Sequence, residues 1–403
     1  MLEFKGIPQE GVERINKQYQ GRNRAVYFSV TPRVLRAGKK STIVVKCKDE
    51  RMSLTGIFKV LVFPFYEFEY HPFVDQISEI CDIEAHDGVI SFEYTFIDEQ
   101  MYRLYIAEMT KEGLNLLLKT DLYALDDSLY NLKPLIGDFH SHTIYSDGFE
   151  SPESVLRAAV EHGLDFIAVT DHNNYMGSVE AKKIAEEKKL PITVINGEEY
   201  SSTFTSMHII SLGAPAPLDD KYYLQKPEDV EAPVSVAAMT MQLCERIREN
   251  GGVSVMCHPL WKPLRRDGIR VDVPHSLVKE LLESNVFDAV EIVGGSPIED
   301  SMTSHMQHLW AVNYGATPDK TAFLGSTDSH MYSVDPICGK HFTLVFAENN
   351  SQEAIVDAVR KRDTVAIQII DNANVLCFGT PRYCMFAQFY IKEVLEKVQQ
   401  PFY

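Results

Sequence analysis

The chain has 403 residues, 45% of them hydrophobic and 24% charged, with a formal net charge of −18 at pH 7. This length accommodates two cores, and the acidity disfavours a long nucleic acid, whose hold on a protein comes from Lys and Arg neutralising phosphates. No apolar run approaches the ~20 residues that cross a bilayer, and seven scattered cysteines without a C-x-x-C pair argue against a disulfide framework or a zinc knuckle.

The first stretch, MLEFKGIPQEGVERINKQ, lacks the basic-then-apolar layout of a secretory signal, so a cytoplasmic address is expected. From about Val26 to Leu125 apolar residues recur with period two. The candidate strands are AVYFSV, STIVVKC, GIFKVLVFPFY, GVISFEYTF, MYRLYIAEM and LNLLLKTDLYAL, separated by turn-forming segments. Short strands at this spacing, with no helix between them, predict a small antiparallel β-sandwich over residues 1–130.

The pattern changes after DDSLYNLKP. Residues 152–162 carry an apolar stripe at helical spacing, with Ser151 as N-cap, Pro152 at the first helical position and Gly163 as the stop. The strand FIAVTDH follows. The cycle repeats with helices near 177–189, 236–250, 275–284, 300–314 and 351–361 and strands PITVINGEEY, VSVMCHP, DAVEIV, AFLGSTDSH, FTLVF and TVAIQI. Helices alternating with continuous apolar strands predict a parallel sheet. About seven such units have the size of a (β/α) barrel. The expected fold is therefore α/β: a distorted (β/α)7-type barrel over residues 131–403, ending in the amphipathic helix RYCMFAQFYIKEVLEKV and preceded by the smaller all-β domain. An open doubly wound sheet gains no support, because no Gly-rich phosphate loop follows a strand.

Residues able to bind metal fall at the ends of these strands. His140 and His142 end the first, Asp171 and His172 the second, Glu198 and Glu199 the third; His208 opens HIISLG, His258 ends VSVMCHP, and Asp328 and His330 end AFLGSTDSH. In a parallel barrel all C-terminal strand ends face one mouth. Imidazoles two apart on a strand share a face and can lean onto one ion. Imidazole with carboxylate suits Zn, Mn or Fe better than Ca. The number of ligands exceeds the need of one ion, so two or three divalent metals bridged by a carboxylate are expected.

GDFHSHTIYSDG, VTDHN, GEEYS with MHIISLG, MCHP and GSTDSH together resemble, in order, the motifs of the polymerase-and-histidinol-phosphatase (PHP) superfamily of metal-dependent phosphoesterases, over about residues 134–370. The resemblance implies that His140, His142, Glu199 and Asp328 bind a first metal and form the catalytic core. It implies that Glu199 bridges to a second metal completed by His208 and His258, and that Asp147, His172 and His330 bind a third. The Gly-x-Glu pattern selects Glu199 over Glu198. Asp171 is a candidate for orienting His172. Lys262, Arg265 and Arg266 are weaker candidates for a substrate phosphate, with a solvated basic loop as the alternative.

The implied reaction is attack of a metal-bound hydroxide on a small phosphomonoester or nucleotide. The alternatives are a non-catalytic regulatory metal-binding module, which the complete ligand set disfavours, and an amidohydrolase-like C–N hydrolase, which would need a strand-end lysine that the chain lacks. No general acid is evident. A homo-oligomer is compatible with the sequence, and a membrane partner is not expected. Among other polar residues, Glu291 reads as structural, His162 as a helix-end charge, His275 as a helix-start residue, and His305 and His308 as surface. His341 is a minor candidate for lining the mouth.

Overall fold

The computed structural model describes residues 2–6, 8–10, 26–64, 80–111, 113–202, 207–218, 235–260, 274–294, 304–370 and 374–395. They form two units, one from Met1–Asn131 with Phe389–Glu396 and one from Leu132–Gln388.

The first unit is built from β1 (Leu2–Phe4), β2 (Phe28–Thr31), β3 (Val34–Arg36), β4 (Lys39–Cys47), β5 (Met52–Pro64), β6 (Ile80–Phe96), β7 (Gln100–Thr110) and β8 (Gly113–Leu125), followed by the short helix α1 (Asp127–Tyr130). The strands run in the order β2-β4-β6-β5-β7-β8-β3, with β1 beside β5. Period-two burial places Ile43, Val45, Leu54, Phe58, Val60, Leu104, Ile106, Leu118 and Leu122 in one core. The expectation of two stacked sheets gives way to one curled sheet. Strand β6 is long enough to pair twice, with β5 up to Gly88 and with β4 from Val89 onward. The change of partner falls where Asp87 and Gly88 both have positive φ, 51° and 78°. The C-terminal residues Phe389–Glu396 belong to this unit, where Arg33 pairs with Glu393 at 2.7 Å and Phe389 packs on Tyr123. The C-terminal segment expected as one helix is an α-helix over Pro381–Phe389 followed by a π-helix over Tyr390–Val394.

The second unit follows the chain order β9 (Lys133–Asp138), α2 (Pro152–Glu161), β10 (Phe166–Val169), α3 (Met176–Lys188), β11 (Thr193–Ser201), β12 (His208–Leu212), α4 (Val236–Glu249), β13 (Val253–Met256), α5 (His275–Glu283), β14 (Ala289–Val293), α6 (Ser304–Asn313), β15 (Ala322–Gly325), β16 (His341–Ala347), α7 (Gln352–Lys361), β17 (Thr364–Ile370), β18 (Asn374–Gly379) and α8 (Pro381–Phe389). Serines cap three of the helices as their positions require: Ser151, Ser235 and Ser351 each accept a backbone N–H three residues on. His308 is not a surface residue; its ring packs against Phe323 and Phe378, with centroids 5.6 and 5.1 Å away.

The sheet order is β15-β14-β13-β12-β11-β10-β9-β16-β17-β18. It is not parallel throughout, as the alternating pattern suggested. β9, β10 and β11 are mutually parallel, as are β13, β14 and β15, but β12 is antiparallel to both its neighbours and β16, β17 and β18 form an antiparallel end. The reason is loop length. Only residues 202–207 join β11 to β12, too few for a helical crossover, so the chain doubles back as a hairpin.

The sheet curls until its two halves meet. The first part of β9 pairs with β16, while its continuation turns to the segment beyond β15. There Asp328 N–H donates to His140 O at 3.0 Å, His142 N–H donates to Ser329 O at 2.9 Å, and Ser141 and Ser329 form a parallel bridge. Gly325 stands at this junction. A Cβ on it would lie 2.4 Å from the carbonyl oxygen of Phe342 and 3.0 Å from the nitrogen of Ile367, both backbone atoms that cannot rotate away. Gly325→Ala is therefore expected to lower stability by about 2–3 kcal/mol. A denaturant midpoint unchanged from the parent would disprove the close approach.

Candidate metal centre

Because β9, β10, β11, β13 and β15 point the same way, their C-terminal ends gather His140, His142, His172, Glu199, His258, Asp328 and His330. The β11–β12 hairpin adds His208, whose backbone pairs with Ser201 two residues beyond Glu199. A strand that runs backwards delivers its first residue to the same end at which the others deliver their last.

The floor of the cluster is a group of four donors. His140 Nε2 lies 3.1 Å from His142 Nε2, 3.2 Å from Glu199 Oε2 and 3.1 Å from Asp328 Oδ1. His142 Nε2 lies 3.2 Å from Glu199 Oε2 and 3.0 Å from Asp328 Oδ1. A tetrahedron with edges of about 3.3 Å has its centre about 2.0 Å from each corner, the length of a zinc–imidazole or zinc–carboxylate bond. Glu199 Oε2 also has His172 Nδ1 at 3.0 Å, yet it is buried and receives no hydrogen bond from any of the three rings around it. Nitrogens that surround a buried carboxylate oxygen without donating to it are arranged around a shared point. These residues therefore fit a divalent cation.

The other carboxylate oxygen faces a second group. Glu199 Oε1 is 2.9 Å from His208 Nδ1 and 3.3 Å from His258 Nε2. A third group lies toward solvent: Asp147 has His330 Nε2 at 3.3 Å, His172 Nε2 at 3.7 Å and His142 Nδ1 at 3.8 Å. His140, His142 and Glu199 are fully buried, whereas the Asp147 side chain is 56% exposed, so the third group forms the mouth and the first the floor. His172 spans the two, with one ring nitrogen toward Glu199 and the other toward Asp147.

Charge is balanced within the cluster. Burial opposes a charged ring at His142, but the hydrogen bond it donates to Asp328 and the negative charges of Glu199 and Asp328 lift it to about 9. Burial likewise opposes charge on Asp328 and Glu199, and the surrounding imidazoles hold both well below the usual carboxylate range. Burial, reinforced by His142 and His208, pushes His172 down to about 4, so its ring is neutral and offers one N–H and one lone pair.

Two backbone conformations are unusual at this site: φ is +23° at His258 and +55° at Asp328. Asp328 lies within the left-handed region, which Asp tolerates, whereas +23° at His258 falls outside it and is strained.

Glu198 and Glu199 part as alternate residues of a strand must. Glu199 enters the cluster, while Glu198 points away, accepts the Tyr200 hydroxyl at 3.1 Å and is pushed up to about 7 by burial. Asp171 does not orient His172. It accepts from Thr143 N and Ser146 Oγ at 2.8 and 2.7 Å and from Thr143 Oγ1 at 2.7 Å, and so fixes the loop that carries Asp147. His341 contacts Gln368 at 3.1 Å and joins none of the donor groups found among the described residues. Lys262, Arg265 and Arg266 lie outside the described residues.

Glu291, which read as structural in the sequence, and Asp138, which the sequence did not single out, stand directly behind the cluster. Glu291 contacts His140 Nδ1 at 2.8 Å and accepts the His258 N–H at 2.8 Å. Asp138 accepts from the N–H groups of His140 and Thr327 and from the hydroxyls of Thr327 and Tyr332. A charged residue inside an otherwise apolar strand was the available signal for Glu291. Cys257 also borders the cluster, but burial and the nearby charges of Glu199, Glu291 and Asp328 push its thiol far up, which keeps it protonated and a poor ligand.

Residues 138–228 match the PHP domain family. An uncharacterized protein of Methanocaldococcus jannaschii is 32% identical over 133 residues, 30% of this chain and 66% of that protein. A 5'-3' exoribonuclease of Salmonella typhimurium is 34% identical over 91 residues, 22% of this chain and 30% of the enzyme. The chain thus spans less than two thirds of the length of either relative. A solved two-domain protein of Bacteroides vulgatus, described as containing a PHP-like metal-dependent phosphoesterase, is 20% identical with a TM-score of 0.46, over 66% of this chain and 71% of its own. The matched segment begins at Asp138 and takes in the H-x-H pair, the Thr-Asp-His turn and the paired glutamates, and by that match this part of the chain is a PHP domain.

Proposed function

We propose that the chain is a metal-dependent phosphoesterase that hydrolyses a small phosphomonoester or nucleotide at a centre of two or three divalent metals, Mn, Zn or Fe. The observation that carries this reading is Glu199. One of its oxygens is buried without a hydrogen bond among three imidazole nitrogens, and the other faces two more. A carboxylate so placed suits a bridge between cations.

On this reading His140, His142, Glu199 and Asp328 hold the innermost ion, Glu199 with His208 and His258 a second, and Asp147, His172 and His330 a third. The bound ions would supply an activated water and a counter-charge for the phosphoryl oxygens. The chain's own residues do the rest. Asp171, Thr143 and Ser146 fix the loop that presents Asp147 at the mouth. The floor is buried and Asp147 and His330 are the most exposed members, so the phosphate would enter past them. The barrel is read as a distorted (β/α)7 type whose strand ends supply the ligands. Lys262, Arg265 and Arg266 remain proposed contacts for the far end of the substrate.

Elemental analysis of protein purified without chelator is expected to give clearly more than one Mn, Zn or Fe per chain. A panel of phosphomonoesters, nucleotides and oligonucleotides with added Mn²⁺ is expected to show turnover on the small substrates. Absence of bound metal after reconstitution would overturn the proposal. Metal without turnover would favour a regulatory module. Preference for oligonucleotides would move the substrate toward that named for the exoribonuclease relative.

A further inference from the structure

We propose that Glu291 is a positioning residue that ties the first ligand group to the second and fixes which nitrogen of His140 faces the cluster. The inference rests on the metal-centre reading above.

Glu291 lies in the middle of β14 with both neighbours buried and apolar. Its side chain is almost wholly enclosed, and both carboxylate oxygens are committed. Oε1 lies 2.8 Å from His140 Nδ1 and Oε2 accepts the backbone N–H of His258 at 2.8 Å. A carboxylate oxygen at this distance accepts the ring N–H, so the proton of the contact with His140 sits on Nδ1. A neutral imidazole protonated on Nδ1 presents its lone pair on Nε2, the atom that touches His142, Glu199 and Asp328. Glu291 stands behind the ring, on the side away from the four donors. It selects the tautomer without entering the tetrahedron.

The second contact acts on the backbone. His258 holds φ at +23°, a conformation that needs external support, and the hydrogen bond from its N–H to Glu291 supplies it. One carboxylate therefore orients a ring in the first group and the peptide that carries a ring of the second. Its position on β14, beside β13 with its terminal His258, gives it both partners at once.

Glutamine is a sharp probe. Glu291 offers two acceptors to two N–H donors, whereas an amide offers one acceptor and turns an NH₂ toward the other. In E291Q one contact must fail; in E291A both do. The experiment compares wild type, E291Q and E291A by two readouts: zinc affinity from competition with a chelator, and exchange of the His140 ring N–H proton, observed by ¹⁵N-edited NMR and assigned with a His140→Asn variant. Zinc affinity is expected to fall 10- to 100-fold in E291A and less in E291Q, and the slowly exchanging His140 N–H is expected to be lost in E291A. Affinity within threefold of wild type together with an unchanged N–H signal would overturn the proposal, as would a loss of thermal stability alone. If E291A does not fold, E291Q carries the test. If wild type binds no zinc, the metal-centre reading fails, while the ring proton of the metal-free protein still reports whether Glu291 holds His140.

Discussion

His142→Ala is expected to abolish phosphoester hydrolysis, with kcat/KM down at least a hundredfold, while the fold persists. His142 Nε2 touches all three other members of the innermost group, at 3.0–3.2 Å. Without it three donors remain for an ion that needs four, and the loss of metal-derived stabilisation amounts to several kcal/mol, at about 1.4 kcal/mol per tenfold in rate. The backbone bond from His142 N–H to Ser329 O survives the substitution, so the strand stays in place. Asp328→Ala is expected to behave alike. Retention of more than about a tenth of the parent rate by either variant, with circular dichroism unchanged, would refute the assignment. Added imidazole is expected to restore part of the activity in His142→Ala and none in Asp328→Ala.

The second large effect concerns stability and falls on Asp138. Asp138→Ala would leave two buried N–H groups and two hydroxyls without their acceptor, a loss of about 3–5 kcal/mol. Asp138→Asn should differ in sign. Its oxygen can keep the N–H groups of His140 and Thr327 while its NH₂ donates to the hydroxyls, which turn from donors into acceptors. Thr327 Oγ1 already has the His140 carbonyl at 3.3 Å to receive its proton.

The carboxylate is also burdened by its charge. Burial raises it from 3.8 to about 6, against the opposing hydrogen bonds of Thr327, His140 and Tyr332. The folded chain therefore binds a proton more tightly at this site than the unfolded chain. Stability contributed by Asp138 falls as pH rises through the interval between those values and stays low above it. The stability difference between Asp138→Asn and wild type, measured by urea unfolding of metal-free protein, should therefore grow by about 2 kcal/mol from pH 4 to pH 7.5. A flat difference would contradict the shift, and equal damage from Asn and Ala would contradict the hydrogen-bond account.

The ligand residues were legible because strand ends impose order on a sequence. All but His208 and Asp147 sit at or just beyond the end of an apolar run, and parallel strands of similar length present such positions on one side. The period-two strands of the first unit were legible for the same reason, since a half-buried sheet imprints its alternation on the chain. What escaped were features set by partners rather than by periodicity. The reversal at β12 depends on the shortness of residues 202–207, and the switch of β6 depends on two positive-φ residues in a strand that otherwise reads as continuous. Glu291 and Asp138 lie within apolar runs, where a carboxylate carries no mark of the N–H groups that will find it. His308 could not be distinguished from a surface residue until Phe378, seventy positions later, closed over it.

The bridge between Ser141 and Ser329 also bears on when the centre can come into being. The two histidines that follow β9 lie about a third of the way along the chain, and the aspartate of their group comes 186 residues after His142, where the segment beyond β15 meets the segment beyond β9. During synthesis a nascent chain that has not yet reached β15 exposes the histidines and Glu199 without Asp328. Contacts of such long sequence separation form late. On the proposed metal-centre reading, capture of the innermost ion would be tied to barrel closure, and a cation lodged there would fasten the first strand of this unit to the seventh.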